Sequence, residues 1–199
     1  MTGTPDPTAL SHRLASPAGG SSDPEGYAPL REAGTARPYG ADSCREFDIR
    51  IARDGTWFYH GSPITRKPLV RLFASVLRRD EQGEYWLQTP AEKGRIRVDD
   101  VPFVAVEVSS SGMGRDRQLT FRTNLDDVVI AGPQHHIRVI EDDTTGMPRP
   151  YVNIRDRLDA LIARPVFYEL VELAEEIPGT PPQLGVWSGG MCFPLGRLA

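Results

Sequence analysis

The chain has 199 residues, of which 39% are apolar and 25% are charged, and its formal net charge is −4. These values predict one compact unit, or two small ones that share a core, and they argue against a general DNA- or RNA-binding protein. No apolar run approaches the roughly 20 residues that span a bilayer, and no secretion signal is recognised at the N-terminus. We therefore expect a cytoplasmic protein without membrane contact. Its two cysteines, Cys44 and Cys192, are expected to be unpaired thiols.

The first 43 residues are rich in Pro, Gly, Ser, Thr and Ala. Such a segment cannot bury enough apolar surface to offset the entropy of ordering it, so residues 1–43 are predicted to be a disordered tail. Two halves follow, predicted at residues 44–100 and 101–199. Residues 44–98 carry 11 basic and 7 acidic side chains, whereas residues 99–199 carry 9 and 15. The first half is therefore the better match for an anionic ligand.

The first half begins with apolar residues at every second position from Phe47 to Ile51, which predicts a strand. Asp54-Gly55 is a hairpin signal, and residues 56–60 are predicted to be the returning strand. A helix is predicted next, with Thr65 as its N-cap and Pro68 in its first turn. Strands are predicted at 84–89 and 94–98. The buried face of the helix is expected to be Leu69, Leu72, Phe73, Val76 and Leu77.

The second half begins with predicted strands at 101–109, 119–123, 128–131 and 137–140, with a turn at Asp126-Asp127. Asn153, with Asp156 three residues later, resembles a capping box and predicts a helix that ends before Pro165. Pro165 is predicted to begin a second helix. The last two predicted strands, 184–187 and 191–195, flank Ser188-Gly189-Gly190.

Both halves thus follow the order strand, strand, helix, strand, strand. This order predicts an α+β fold of two packed ββαββ-like repeats with mostly antiparallel sheet. Residues 49–54 can be laid over residues 121–126, and Lys67-Pro68 resembles Arg164-Pro165. Two such repeats would bury their apolar faces against each other, so the seam between them is the expected place for a pocket.

Two stretches also carry a resemblance: Asp-Gly-Thr-Trp at 54–57 and Gly-Val-Trp-Ser-Gly-Gly at 185–190. With the residues around them, they resemble the bacterial family called domain of unknown function 1285, over roughly residues 44–196. The resemblance implies a duplicated α+β core whose second half is loosely like a pleckstrin-homology barrel. It also implies a site at the interface of the halves for a nucleotide-like ligand, and a signalling role. It implies no catalytic residues.

The candidate ligand-binding residues offer aromatic rings, positive charge and open backbone. Trp57 and His60 could stack on and bond to a base, and the glycines after Trp187 could approach a phosphate. Basic residues at a helix start oppose the helix dipole, so a bound anion would relieve that conflict. Each feature also has a structural alternative: a core face, a tight hairpin, or neutralisation by nearby carboxylates. The full set is Trp57, His60, Gly61, Arg66, Lys67, Arg155, Trp187, Ser188, Gly189 and Gly190.

The sequence contains no recognised catalytic motif, and it predicts no metal site and no cofactor. It favours a regulatory module that binds a small anionic, nucleotide-like ligand at the seam. Two alternatives stay open. One is a small hydrolase or transferase that acts on a similar ligand, with His60 or Glu107 as its base. The other is a structural protein that binds a protein partner.

Overall fold

The computed structural model describes residues 45–178 and 182–197. They form fifteen strands, a 3₁₀ turn at Gly114–Asp116 and two nine-residue α-helices, so the fold is mostly β-sheet. The α+β prediction overestimated the helical content. The predicted tail and Cys44 lie outside the described residues, and Cys192 is a partly buried free thiol. Neither helix is long and apolar enough to cross a membrane.

The first sheet has six strands in the order β3-β2-β1-β6-β5-β4. All neighbours are antiparallel except β1 and β6, which are parallel. Helix α1 (Lys67–Ser75) joins the third strand to the fourth. The strands are β1 (Arg45–Ile51), β2 (Trp57–Tyr59), β3 (Ser62–Pro63), β4 (Leu77–Arg79), β5 (Tyr85–Gln88) and β6 (Lys93–Val98).

The second sheet repeats this arrangement, with the order β9-β8-β7-β12-β11-β10 and a parallel pair, β7 and β12, at its centre. Each sheet therefore consists of two three-stranded meanders that meet at a parallel pair formed by the first and sixth strands. The strands are β7 (Phe103–Ser111), β8 (Gln118–Thr123), β9 (Val128–Ile130), β10 (Ile137–Glu141), β11 (Pro148–Arg155) and β12 (Leu158–Ile162).

The repeats differ in where the helix lies, because α2 (Arg164–Glu172) follows the sixth strand of its sheet. A third sheet comes after it, in the order β13 (Glu175–Ile177), β14 (Gln183–Ser188) and β15 (Met191–Arg197). The predicted ββαββ order is therefore wrong for both halves. Laying residues 49–54 over 121–126 was also wrong, because it matches β1 to β8 instead of β7. The prediction that Pro68 and Pro165 begin helices is confirmed.

The helix predicted from Asn153 is absent, and β11 and β12 form an antiparallel hairpin there. Burial alternates along β12, with Leu158, Ala160 and Ile162 inside, as expected for a strand. The Asn153 side-chain amide donates to the Asp156 carbonyl at 3.1 Å and to the Asp159 carboxylate at 3.0 Å. The polar residues that resemble a capping box thus stabilise a hairpin turn.

Helix α1 begins at Lys67 with Arg66 as its N-cap and without a side-chain cap, so Thr65 does not cap it. Val70 and Ala74 are its buried residues, whereas Leu72 is 61% exposed. The predicted buried face is correct only in part: Phe73 and Val76 are partly buried against the core, whereas Leu69 and Leu72 are exposed. Leu77, which completed the predicted stripe, is the fully buried first residue of β4.

One apolar core joins the two halves of the described chain. It combines Ile51, Trp57 and Leu77 from the first half with Phe103 and Phe121 from the second. Because apolar side chains close the centre of the seam, polar groups meet only at its rim. The likeness of the second half to a pleckstrin-homology barrel stays a prediction.

Candidate functional site

A cleft of about 570 Å³ opens at the rim of the seam between the two halves. Helix α1 forms one wall, and the turn after β8 together with the end of β11 forms the other. We call it the seam cleft. Its lining residues are Arg71, Ala74 and Ser75 from the first half, and Leu125, Asp126, Asp127 and Arg155 from the second.

Asp126 is the centre of the charged wall of this cleft. It lies in the turn between β8 and β9 with a φ of 66°, a left-handed conformation that Asp tolerates better than most residues. Its carboxylate pairs with Arg71 and is 2.8 Å from the Lys67 ammonium nitrogen. Arg122 lies 3.3 Å away. Three cations therefore converge on one carboxylate, and Arg71 also donates through Nε to the Leu125 carbonyl at 2.8 Å.

Arg155 is the second arginine of the cleft and links the halves directly. Its Nη2 donates to the Ala74 carbonyl at the end of α1 at 2.7 Å, and its Nη1 lies 3.4 Å from the Asp127 carboxylate. A cation at a helix C-terminus is favoured by the helix dipole. The guanidinium also lies over the Phe103 ring, at 5.1 Å from its centroid. Arg155 ends a strand, so the prediction that it begins a helix was wrong.

These contacts leave hydrogen-bond donors free in the cleft. Each guanidinium group has three nitrogen atoms that carry five N–H groups in total. Within residues 45–178 and 182–197, Arg71 bonds through Nε and Nη2, and Arg155 bonds through Nη1 and Nη2. Nη1 of Arg71 and Nε of Arg155 therefore remain available to a ligand.

Trp57 does not reach the seam cleft, because its side chain is only 1% exposed. Its ring stacks on Phe73 with the centroids 6.3 Å apart and an angle of 23° between the planes. The indole Nε1 is buried without a hydrogen-bond partner in the described part of the chain. Trp57 is therefore a core residue and offers no ring face to a ligand.

His60 and Gly61 form the turn between β2 and β3, with φ values of 47° and 74°. The His60 Nδ1 lies 2.8 Å from the Asp48 carboxylate, and its ring meets Tyr59 edge-on. Gly61 lines a separate cleft of about 480 Å³ on the first sheet, together with Phe58 and Arg97 among others. Neither residue lines the seam cleft. Arg66 is exposed and makes no ion pair with any described residue.

The turn Trp187-Ser188-Gly189-Gly190 packs against the second sheet instead of facing the seam cleft. Ser188 is fully buried and donates through Oγ to the Ala131 carbonyl at 2.7 Å. The Gly189 N–H donates to the Arg117 carbonyl at 3.0 Å, and Trp187 lies beneath Arg115 at 4.9 Å. This turn matches the structural alternative of a tight hairpin that requires glycine.

Of the ten predicted site residues, the structure places two at carboxylates of the seam cleft. Lys67 pairs with Asp126, and Arg155 pairs with the adjacent Asp127. Sequence reasoning missed Arg71, Ser75, Asp126 and Asp127 as site residues. A partial signal existed, because Arg71 lies off the predicted buried face of its helix and Asp126-Asp127 was recognised as a turn. Lys67 matches one of the structural alternatives, because the nearby Asp126 carboxylate neutralises its charge.

The two bases considered for an enzyme have different surroundings. His60 is exposed and oriented by Asp48, whereas Glu107 accepts a hydrogen bond from Arg122 Nε at 2.8 Å. The described residues contain no group of three His, Cys, Asp or Glu side chains that could hold a metal ion.

Two family models match the chain. The domain of unknown function (DUF1285), N-terminal domain, matches residues 38–101, and the protein of unknown function (DUF1285), C-terminal domain, matches residues 102–195. A DUF1285 family protein from Silicibacter pomeroyi DSS-3 has a similar structure, with a TM-score of 0.73 and 50% identity, over 77% of this chain and 81% of that chain. A DUF1285 family protein from Shewanella baltica OS155 has a TM-score of 0.48 and 24% identity, over 63% of this chain and 91% of that chain. No curated protein matches the chain.

Proposed function

The chain belongs to the DUF1285 family, and we propose that it is a regulatory module that binds a small phosphate-bearing anion in the seam cleft. The observation that carries the proposal is that Arg71 and Arg155, one from each half, line the same cleft and keep free N–H donors. Arginine is the residue best suited to such recognition, because its planar fork matches the oxygens of a phosphate.

An incoming phosphate would exchange for the carboxylates that hold these arginines at present. The side chains of Arg71, Lys67 and Asp126 are each between 35% and 49% exposed, so their ion pairs are solvated and contribute little stability. A dianion can satisfy two guanidinium groups and the Lys67 ammonium together, which a single carboxylate oxygen cannot. The proposed binding step is therefore a swing of Asp126 away from Arg71, with the phosphate taking its place.

The size of the cleft supports a ligand larger than inorganic phosphate. Its volume of about 570 Å³ lies within the range of roughly 300–1,000 Å³ that is typical of small-molecule sites. A nucleotide-like ligand would place its phosphate at Arg71 and Arg155 and extend along the wall near Ser75. Ser75 Oγ donates to the Leu72 carbonyl at 2.7 Å and could instead turn towards the ligand.

A regulatory role follows from the position of the cleft, because a ligand held by both arginines would bridge the two halves. Binding would then stabilise the closed seam relative to any state in which the halves separate. A ligand shifts an equilibrium only by its difference in affinity for the two states, and a bridging ligand has such a difference. The proposed output is a change in the stability of the seam, without chemical turnover.

The experiment is a thermal unfolding series with pyrophosphate and with nucleoside mono-, di- and triphosphates, followed by calorimetric titration of those that stabilise the protein. A ligand at 100 times its Kd stabilises by about 2.7 kcal/mol, which corresponds to roughly 5–10 °C in Tm for a chain of this size. The expected result is such a shift for at least one phosphate compound.

The site is tested by Arg71→Gln and Ser75→Glu, which remove a donor and add a repelling charge at the cleft. Both should reduce the affinity at least tenfold. Arg53→Gln is the matched control, because Arg53 is an exposed arginine outside the cleft lining. Equal affinity for all three variants, or no stabilisation by any of these anions, would show that the seam cleft does not bind phosphate.

A further inference from the structure

A second concave surface lies on the opposite flank of the second half, around α2. It has two lobes, of about 590 and 290 Å³, and Pro148 and Phe167 line both of them. The larger lobe lies between β10, α2 and β15, and the smaller one lies between β11, β12 and α2. We call the two lobes together the α2 groove. None of its lining residues lines the seam cleft, so the two sites are independent.

The floor of the α2 groove is apolar. Val139, Leu184 and Leu195 line the larger lobe, and Pro150 and Ile162 line the smaller one. Around the groove, large apolar side chains stand in solvent: Tyr168 is 60% exposed. Clustered exposed apolar groups next to a groove mark a binding surface, unlike single exposed ones. The others are Met147 and Val171.

The rim of the groove is positively charged, although the half that carries it is acidic. Four of the nine basic residues within positions 99–199 line the groove, with one acidic residue, Glu141, beside them. Carboxylates outside the lining pair with two of these arginines, so the charge offered to a negative partner comes from the other two. The four are Arg138, Arg149, Arg164 and Arg197.

Two of these arginines are already used within the fold and two are not. Arg138 pairs with Asp159 at 2.8 Å, and Arg149 pairs with Asp100. Arg164 contacts only the Met147 sulfur, at 3.6 Å, and Arg197 makes no ion pair within the described residues. Arg164 belongs to the lining of the smaller lobe and Arg197 to that of the larger lobe, so each lobe has one available guanidinium group.

We propose that the α2 groove binds an extended, acidic segment of a partner protein, which inserts one apolar side chain into each lobe and places Asp or Glu side chains against Arg164 and Arg197. The groove has two lobes, which suits two separate side chains better than one continuous lipid chain. Apolar anchors in pockets with a polar rim are the usual anatomy of a protein interface.

The test is a selection of random twelve-residue peptides displayed on phage against the full chain, after removal of those that bind an Arg164→Glu/Arg197→Glu double variant. Recovered peptides are synthesised and their affinities measured by fluorescence anisotropy. The expected peptides combine two apolar residues with neighbouring Asp or Glu. The double variant should bind them at least tenfold more weakly than the wild type, and the loss should shrink as salt is added.

Arg53→Glu/Arg66→Glu is the matched control, because it makes the same double charge reversal at two exposed arginines of the other half. It should leave peptide affinity within about twofold of the wild type. Tyr168→Ala supplies a second test that changes no charge, and it should also weaken binding at least threefold. Thermal unfolding of each variant establishes that it is folded before its affinity is compared.

Several outcomes would overturn the proposal. These are a selection without enrichment, enrichment of peptides that lack acidic residues, or peptides that bind the double variant as well as the wild type. Concentration-dependent dimerisation that the double variant abolishes would instead assign the groove to a second copy of the chain. Sedimentation with vesicles of anionic phospholipid, lost in the same variant, would assign it to a membrane surface.

Discussion

Ser188 accepts a hydrogen bond through its buried Oγ from the backbone N–H of Leu119 at 2.9 Å. The same hydroxyl donates to the Ala131 carbonyl. One side chain at the tip of the C-terminal hairpin therefore completes the backbone bonding of both β8 and the residue after β9. This contact gives the turn a structural role in the fold.

Replacing Ser188 with Ala should destabilise the protein by about 1–3 kcal/mol, because it leaves a buried N–H and a buried carbonyl without this partner. Urea unfolding would measure the change. Ser109→Ala is the control, since Ser109 is exposed and makes no side-chain hydrogen bond in the described structure; its effect should stay within about 0.5 kcal/mol. Equal stability of the two variants would contradict the structural role of the hydroxyl.

Gly189 and Gly190, which follow Ser188 in the turn, allow backbone strain and packing strain to be measured separately. Gly189 and Gly190 have φ values of 56° and 77°, so alanine at either position pays about 1–2 kcal/mol for the left-handed conformation. Only Gly189 also lacks space, because a Cβ there would lie 3.0 Å from the Ala131 carbonyl oxygen and 3.2 Å from Gly132 Cα. No described atom lies within 4 Å of a Cβ at Gly190.

We therefore expect Gly189→Ala to destabilise the protein more than Gly190→Ala, by at least about 1 kcal/mol, since packing strain adds to backbone strain. Thermal or urea unfolding of the pair measures the difference directly. Because both variants carry the same substitution in adjacent residues, each controls for the other. Equal losses of stability in the two variants would mean that the turn moves away from β9 without a cost in free energy.

A pH dependence follows from the pair of Arg50 and Asp99. The Arg50 guanidinium donates to both carboxylate oxygens of Asp99, with Nε at 2.9 Å from Oδ1, and this holds the pKa of Asp99 below its ordinary value of 3.8. A carboxyl whose pKa is lower in the folded state stabilises the fold above its unfolded pKa. That contribution is lost as the pH falls through the folded value.

Asp99→Asn should therefore be less stable than the wild type at pH 7, and the difference should shrink as the pH falls below about 4. Urea unfolding at pH 7, 5 and 3 would follow the two proteins. Asp143→Asn is the control, because Asp143 is an exposed carboxylate without an ion pair in the described part of the chain. A constant gap between Asp99→Asn and wild type at all three pH values would refute the linkage.

The parts of the fold that the sequence predicted are those set by local rules. Alternating apolar residues from Phe47 to Ile51 predicted β1, and prolines at 68 and 165 predicted both helix starts. The hairpin at 153–162 was missed because Asn153 and Asp156 can bond locally in a helix cap or in a turn. Only the pairing of β11 with β12 decides between them, and that pairing is not local.

The candidate site was predicted less well than the fold, since it depends on which residues meet across the seam. Strand alternation showed that Trp57 and Phe58 face opposite ways, but not which face is the core. The packing of α1, whose Phe73 stacks on the indole ring, decides that face and buries Trp57. Arg71 and Asp126 meet through the packing of α1 on the turn after β8, which no periodic pattern encodes.

Arg155 gives the last prediction, because it makes two contacts of unequal strength, of which only the bond to Ala74 crosses between the halves. The bond from Nη2 to the Ala74 carbonyl is 2.7 Å long, whereas Nη1 is 3.4 Å from the Asp127 carboxylate, which is 35% exposed. A hydrogen bond from a charged group to a carbonyl contributes about 1.5–3 kcal/mol, and a solvated ion pair contributes about 0–1 kcal/mol.

Arg155→Met should therefore destabilise the protein by about 1.5–3 kcal/mol, and Asp127→Asn by less than about 1 kcal/mol. In a double-mutant cycle measured by urea unfolding, the coupling between Arg155 and Asp127 should stay below about 1 kcal/mol. Methionine is chosen because it removes every guanidinium contact, including the one over the Phe103 ring, while it keeps an unbranched apolar side chain. A larger coupling would mean that the ion pair with Asp127, and not the bond to the Ala74 carbonyl, accounts for most of the stability that Arg155 contributes.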